Sequence, residues 1–437
     1  MHGLKKSAPK FMTFDAVAIT IGIVIGAGIF KTPSLVAAEV ADSTRILMIW
    51  GLGGLISLLG AFCFAELAST YPDQGGDYFY LSRAYGKPMG FLFAWSRMTV
   101  IQTGSIAMLA FLAGDYVAGM IGRPGSSTLV AAGFVIALTA LNAAGFSQGN
   151  RIQKSLVFVV GAGLLLISFF ALNTPAHALP VAAEVSPMPP GAIGKVLIFV
   201  LLTYGGWNEA VYLSAEMERK SIIKVFIYSI AFITAIYMVV NIAFMRGLGI
   251  SAMAGSDTAA ADLMEKALGK GGAGIISLLI AIAALATING TLITGARSAY
   301  AVGRDFKLLG FLGKWNSAAG VPRNAVLFNG AASLVLVAFG SFARDGFSLM
   351  VEFTAPVFWF FFLLSTFSLF IFRKREPDRQ RPFKVPLFPL IPIVFFGICL
   401  FMLVSSLRSA AAAPIAGVLI VSSGIPLLLL NKKKEKT

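Results

Sequence analysis

The sequence predicts an all-α membrane protein: twelve transmembrane helices, ten of them a 5+5 inverted repeat with discontinuous helices 1 and 6, and two appended. Three observations carry this. The first is composition. Of 437 residues, 57% are hydrophobic and 13% charged, with a mean hydropathy of +0.83. A soluble domain is about 45–50% apolar and about 25% charged, so both values are displaced toward lipid as the solvent. The second is a series of twelve apolar segments with positive charge alternating between their connections. The third is a pair of glycine-rich interruptions at the centres of two segments five spans apart. Composition also excludes a disordered chain, a disulfide scaffold and an ordinary soluble enzyme.

The apolar segments run at 12–38, 44–70, 89–113, 127–146, 155–173, 193–215, 222–245, 273–301, 324–342, 347–372, 386–406 and 411–430. Each is near the length of about 20 residues that a spanning helix needs. The first is too long for a signal peptide and lacks a small-residue cleavage site. Little chain remains between segments, so a single polytopic domain, 1–437, is expected. Residues 1–173 form the first repeat, 190–372 the second and 386–430 the appended pair. With the N-terminus cytoplasmic, twenty-five of the 35 Lys and Arg fall on cytoplasmic segments and nine on the opposite side, with Arg97 inside a span. This bias places both termini in the cytoplasm. The formal charge of +15 therefore reads as topology, and no nucleic-acid partner is expected. Cys63 and Cys399 lie in apolar segments, and His2 and His177 in a terminus and a loop. No disulfide, metal site or other cofactor is expected.

The interruptions are Ile25-Gly26-Ala27-Gly28-Ile29-Phe30 in span 1 and Leu202-Thr203-Tyr204-Gly205-Gly206-Trp207-Asn208-Glu209 in span 6. Glycine weakens a helix interior and permits unusual backbone. The odd offset makes the two segments antiparallel, as in an inverted repeat. Unwinding at mid-depth frees N–H and C=O groups that hydrocarbon cannot satisfy. Half-helix N-termini suit a carboxylate and freed carbonyls suit an ammonium. Matched breaks of this kind point to the substrate site of a transporter. Close packing through small residues is the alternative use of the same glycines.

At these residues the chain resembles the amino acid–polyamine–organocation superfamily, and within it the L-amino-acid transporter branch and its bacterial relatives. The motifs are Gly26-Ala27-Gly28-Ile29-Phe30 with Pro33, Ala65-Glu66-Leu67-Ala68 with Tyr71-Pro72 and Gly75-Gly76, and Tyr204-Gly205-Gly206-Trp207-Asn208 with Glu216. Asn289-Gly290-Thr291 with Arg297 and Arg381-Pro382-Phe383-Lys384-Val385-Pro386 complete the set. The resemblance implies a secondary active carrier of neutral L-amino acids working by alternating access, by symport or exchange. It implies that the amides of Ala27, Gly28 and Ile29 hold the substrate carboxylate. Carbonyls near Ile23, Leu202 and Gly205 would hold the amino group, with Tyr204 and Trp207 in the sixth-span motif. The side chain would point toward spans 3, 6, 8 and 10. Two departures stand out: Leu202 occupies the place of an aromatic gate, and Val160 the place of a fifth-span lysine. Either a coupling ion, proton or sodium, binds near Gly22, Ile25, Thr287 and Thr291, or that place is neutral.

Charges inside the bilayer are costly and each needs a reason. Glu209 is read as a proton carrier or ammonium partner, or as a cap on the second half-helix. Arg97 is expected to pair near the cytoplasmic side, Glu66 and Arg297 to form ion pairs at cytoplasmic ends, and Lys31 to snorkel outward or line an outer vestibule. H-E-x-x-H, P-loop and Cys/His cluster motifs are missing, so an enzyme is not expected. The remaining alternative is a substrate-sensing membrane receptor or scaffold with a transporter fold. The expected setting is the plasma or bacterial inner membrane, with lipid and a small amino acid as partners and no obligate protein partner.

Overall fold

The computed structural model describes residues 12–73, 75–145, 161–170, 191–408 and 412–434. Among these the secondary structure is helical, apart from one isolated bridge between Asn316 and Val321. Ten helical units are long and apolar enough to cross a membrane, and two shorter apolar helices, Thr13–Val24 and Gly161–Phe170, accompany them. The stretch 171–190 between the expected repeats and the fifth-span position Val160 lie outside the described residues.

The chain starts with α1 (Thr13–Val24), a 3-10 turn (Ala27–Phe30) and α2 (Thr32–Val40). Pro33, in the first turn of α2, needs no intrahelical partner for its missing N–H. α3 (Ser43–Thr70) begins where the Asp42 carboxylate accepts from the Arg45 backbone N–H at 2.7 Å, an N-cap. The short α4 (Asp77–Tyr85) leads into α5 (Lys87–Ser96), a π-helical stretch (Arg97–Ile101) and α6 (Gln102–Met120). π-helical turns are frequent at functional sites, and this one faces the cavity described below. α7 (Ser127–Ala143) and α8 (Gly161–Phe170) follow.

α9 (Ala192–Thr203) ends at the second interruption, beyond which Trp207–Glu216 is 3-10 helical. α10 (Ile222–Leu248) and α11 (Ile250–Ala254) precede α12 (Ala259–Asp305). The expected segment 273–301 is only the second part of α12. Gly269, at φ 74°, divides the helix, and the first part is too polar to read as a span. α13 (Arg323–Gly340), α14 (Gly346–Arg375) and α15 (Leu390–Arg408) come next. The final expected segment is two pieces, α16 (Ala412–Ser422) and α17 (Gly424–Lys434), separated at Ser423.

α6 packs against α7, α12 and α14, and α10 packs against α1 and α3. Lipid gives helices no hydrophobic reason to associate, so close approach rests on small residues. A β-carbon at Gly54 would overlap Thr234 and one at Gly104 would overlap Thr354, fixing the α3–α10 and α6–α14 contacts. These contacts bring the two interruptions together.

Candidate functional site

At the first interruption the Ile25 N–H reaches Ile21 O (2.7 Å) and the Gly26 N–H turns back to Val24 O (2.6 Å). Gly26 is extended at φ −95°, ψ −172°, and the 3-10 turn then begins. The N–H groups of Ala27, Gly28 and Ile29 open that turn and are the orphan donors that a helix start leaves. At the second interruption the Gly205 N–H bonds Leu202 O (2.9 Å), and Gly206 sits at φ 106°. A β-carbon on Gly206 would lie 3.0 Å from Ile23 Cγ2 and 3.3 Å from Ile23 O. The two breaks therefore touch backbone to backbone.

Tyr237 of α10 joins them. Its buried hydroxyl is 3.1 Å from Val24 O and 3.0 Å from Thr203 O, the last carbonyls of α1 and α9. The Thr32 and Thr203 hydroxyls make a second link at 2.7 Å. Sequence reasoning missed Tyr237 because a single tyrosine in an apolar helix carries no motif.

A cavity of about 370 Å³ lies against both breaks. Gly22, Ile23, Ile25, Gly28, Leu202, Gly205, Glu209, Thr287 and Thr291 all line it, together with Arg97 and Gln102 near the π-helical stretch and Phe358, Phe361 and Phe362 of α14. The Thr287 and Thr291 hydroxyls donate back to Ala283 O (3.1 Å) and Thr287 O (2.9 Å), which leaves their lone pairs toward the cavity side of α12. Ile29 is fully buried and Ala27 contributes through its backbone turn. Tyr204 and Trp207 stand behind the wall. The Tyr204 hydroxyl donates to Trp50 O at 3.0 Å, and Trp207 packs edge-on against Phe64, Phe226 and Phe362. The aromatic surface missing at Leu202 is supplied by α14.

Among the described residues three charge clusters stand out: the first lines the cavity, and the one at Lys31 differs from expectation. Arg97 pairs inside the cavity wall: Nη2 is 3.2 Å from Glu209 Oε2, and Nη1 donates to the Tyr212 hydroxyl at 2.6 Å. The π-helical stretch and the second break bring them together, so Glu209 has Arg97 as its ion-pair partner. Asp77, unnoticed in the sequence, starts α4, lines the same cavity and accepts from the Ser365 hydroxyl at 2.9 Å. Burial pushes the Asp77 carboxyl up to about 6, against the Ser365 hydrogen bond and the Arg97 charge that pull it down.

Lys31 does not snorkel. It is 2% exposed, with Nζ 3.0 Å from Asp257, 3.6 Å from Asp115 and 4.0 Å from Asp345. Burial is possible because these carboxylates, brought from three separate stretches of chain, replace water. Glu66 accepts from Arg373 Nε (2.8 Å) and Nη2 (2.5 Å) and from the Val385 N–H (2.7 Å), with Arg381 Nε at 3.4 Å. Its partners are Arg373 in the last turn of α14 and Arg381 beyond it, and Arg297 is not among them. Among the described residues no group of His, Cys, Asp and Glu side chains could hold a metal ion.

Bundled apolar helices around a cavity bounded by two mid-helix breaks define a multi-pass membrane transporter. The chain belongs to the amino acid permease family: a family model described as "Amino acid permease" matches residues 11–429. Among curated relatives, the b(0,+)-type amino acid transporter 1 of Mus musculus is 26% identical over 409 residues, 91% of this chain and 82% of that protein. The Asc-type amino acid transporter 1 of Homo sapiens is 28% identical over 437 residues, 95% of this chain and 81% of its own. The large neutral amino acids transporter small subunit 2 of Mus musculus is 28% identical over 439 residues, 95% and 80%.

Proposed function

We propose that this chain is a secondary active transporter that carries neutral L-amino acids across the plasma or bacterial inner membrane by alternating access. The observation that carries the reading is the contact of two broken helices, Ile23 against Gly206, on a cavity large enough for one amino acid. In this reading the ten long units and the two shorter apolar helices make twelve spans. Spans 1–5 and 6–10 form the inverted repeat, and both termini are cytoplasmic. The substrate carboxylate sits on the N–H groups of Ala27, Gly28 and Ile29, where the half-helix dipole favours negative charge. The ammonium faces the carbonyls of Ile23, Leu202 and Gly205. The side chain lies against Phe358 and Phe361, whose apolar faces suit an uncharged group. A coupling ion has two candidate positions: Gly22, Ile25, Thr287 and Thr291 for a cation, and Glu209 for a proton.

The chain acts without an obligate protein partner in this reading; the words "small subunit" in one relative's name describe that relative. Relatives named for b(0,+)-type, Asc-type and large neutral amino acid transport support the substrate class. The test is counterflow of radiolabelled amino acids in proteoliposomes. Exchange of neutral amino acids supports the reading, and no exchange of any amino acid overturns it. Gly28→Leu should abolish counterflow in folded protein, because the side chain enters the cavity beside Thr203. Retained counterflow in that variant would disprove the carboxylate site.

A further inference from the structure

The Arg97 cluster differs from an ordinary structural ion pair in its charge count. Glu66 has two guanidiniums and a backbone N–H around one carboxylate. At Arg97 the ratio is inverted, because one guanidinium, bridged to Glu209 at 3.2 Å, shares its cavity wall with a second carboxylate, that of Asp77. With all three ionised, the cavity wall carries one negative charge in excess, and Asp77 is its buried member, where a charge is costly. The groups that face Asp77 are accounted for by element. Arg97 comes from the π-helical stretch, Asn208, Glu209 and Tyr212 from the 3-10 segment after the second break, Ser365 from α14 and Tyr80 from α4 itself. Tyr80 and Tyr212 are neutral phenols, so none of these adds a second cation. Asp77, Arg97 and Glu209 also line the cavity that both helix breaks line, so water and substrate reach them from the same space.

We propose that Asp77, held beside Arg97 and Glu209, is the proton-binding site that couples transport in this chain to a proton gradient. The inference rests on the transporter reading and deepens it by naming the coupling ion and its acceptor. A proton from cavity water adds to the Asp77 carboxylate and makes the cluster neutral. The neutral cluster accompanies the change in access, and the proton leaves to water on the other face. No other bond forms or breaks. The raised proton affinity of Asp77 supports the assignment, since the group exchanges its proton near neutral pH.

The experiment uses the full chain in proteoliposomes with a radiolabelled mixture of L-amino acids. An inward proton gradient alone should concentrate the mixture about tenfold per pH unit for one proton per substrate. Asp77→Asn should lose that accumulation, and any counterflow it retains should no longer respond to pH. Ser365→Ala removes a hydrogen bond that favours the ionised form, so the pH profile should move upward by up to about one unit. Merely structural roles for these residues would change the rate without moving the profile. Equal proton-driven accumulation in Asp77→Asn and the wild type would overturn the proposal. So would accumulation by the wild type under a sodium gradient alone, or counterflow with no response to either gradient, both of which leave the transporter reading standing. Absence of both uptake and counterflow in the wild type would overturn that reading and this inference with it. If Asp77→Asn fails to fold, the Ser365→Ala profile decides, and an unmoved profile overturns the proposal.

Discussion

Gly26 at the first break has a negative φ, and only Val24 O, at 3.8 Å, lies near where its β-carbon would be. Gly206 at the second break has φ 106°, a region that L side chains avoid, with Ile23 Cγ2 3.0 Å from the β-carbon position. The two interruptions look alike in sequence, yet only the second needs glycine for its backbone. At the first, the helix ends because the Gly26 N–H turns back to Val24 O, and the Tyr237 hydroxyl lies 3.1 Å from the same carbonyl. The comparison teaches that a mid-membrane break can be held by dihedral preference or by an outside hydrogen bond, and this molecule uses both.

The largest expected effect is at Gly206. Gly206→Ala should cost about 1–3 kcal/mol in backbone strain, before the Ile23 contact adds to it, and should lower the thermal midpoint and eliminate counterflow. Gly26→Ala should cost less than about 1 kcal/mol and keep transport. Equal losses in the two variants would break the comparison. Tyr237→Phe comes next. It leaves the Thr203 carbonyl without its Tyr237 donor, a penalty of about 1–3 kcal/mol for a buried unsatisfied group, while Val24 O keeps the Gly26 N–H. Tyr116→Phe is its control, since that hydroxyl donates to Phe30 O at 3.1 Å and touches the first break alone. Thermal unfolding in detergent and counterflow should rank Tyr237→Phe as the more damaging; the reverse ranking would show that the junction between the breaks is not what matters.

The smallest effect is on stability and depends on pH. Asp77 in the fold titrates at about 6, above its ordinary 3.8, so it holds its proton more tightly folded than unfolded. The associated stabilisation is present below the unfolded value and lost as pH rises through the folded one. Asp77→Asn keeps an oxygen to accept from Ser365 and removes that loss. Its midpoint should exceed the wild type's at about pH 8, and the gain should fade toward about pH 4. A gain that does not vary with pH would show that folding leaves the proton affinity of Asp77 unchanged.

Much of the fold was readable because lipid imposes a strict rule: a spanning segment needs a long apolar run. That rule located α3, α10 and α14 to within a few residues. It missed the start of α12, since the stretch before Gly269 is polar, and the division at Ser423 within the last apolar run. For the site, the family resemblance carried by the glycine clusters marked Ile23, Gly28, Leu202 and Gly205, and all four line the cavity. Tyr204 and Trp207 stood in the same motif but turn their rings into the packing. Alternation along a chain cannot say which way a side chain leaves an unwound backbone.

By itself the sequence determined the membrane class, the order of helices and the places where two of them break. Those follow from local chemistry, because the solvent acts on each segment alone. Tertiary structure decided that the breaks meet, that Tyr237 spans them and that Arg97 pairs with Glu209 on a cavity that Asp77 also lines. Arg97 and Glu209 are more than a hundred positions apart, and Lys31 and Asp257 farther still. What a charge does in a membrane depends on its neighbours in space, and only packing chooses them.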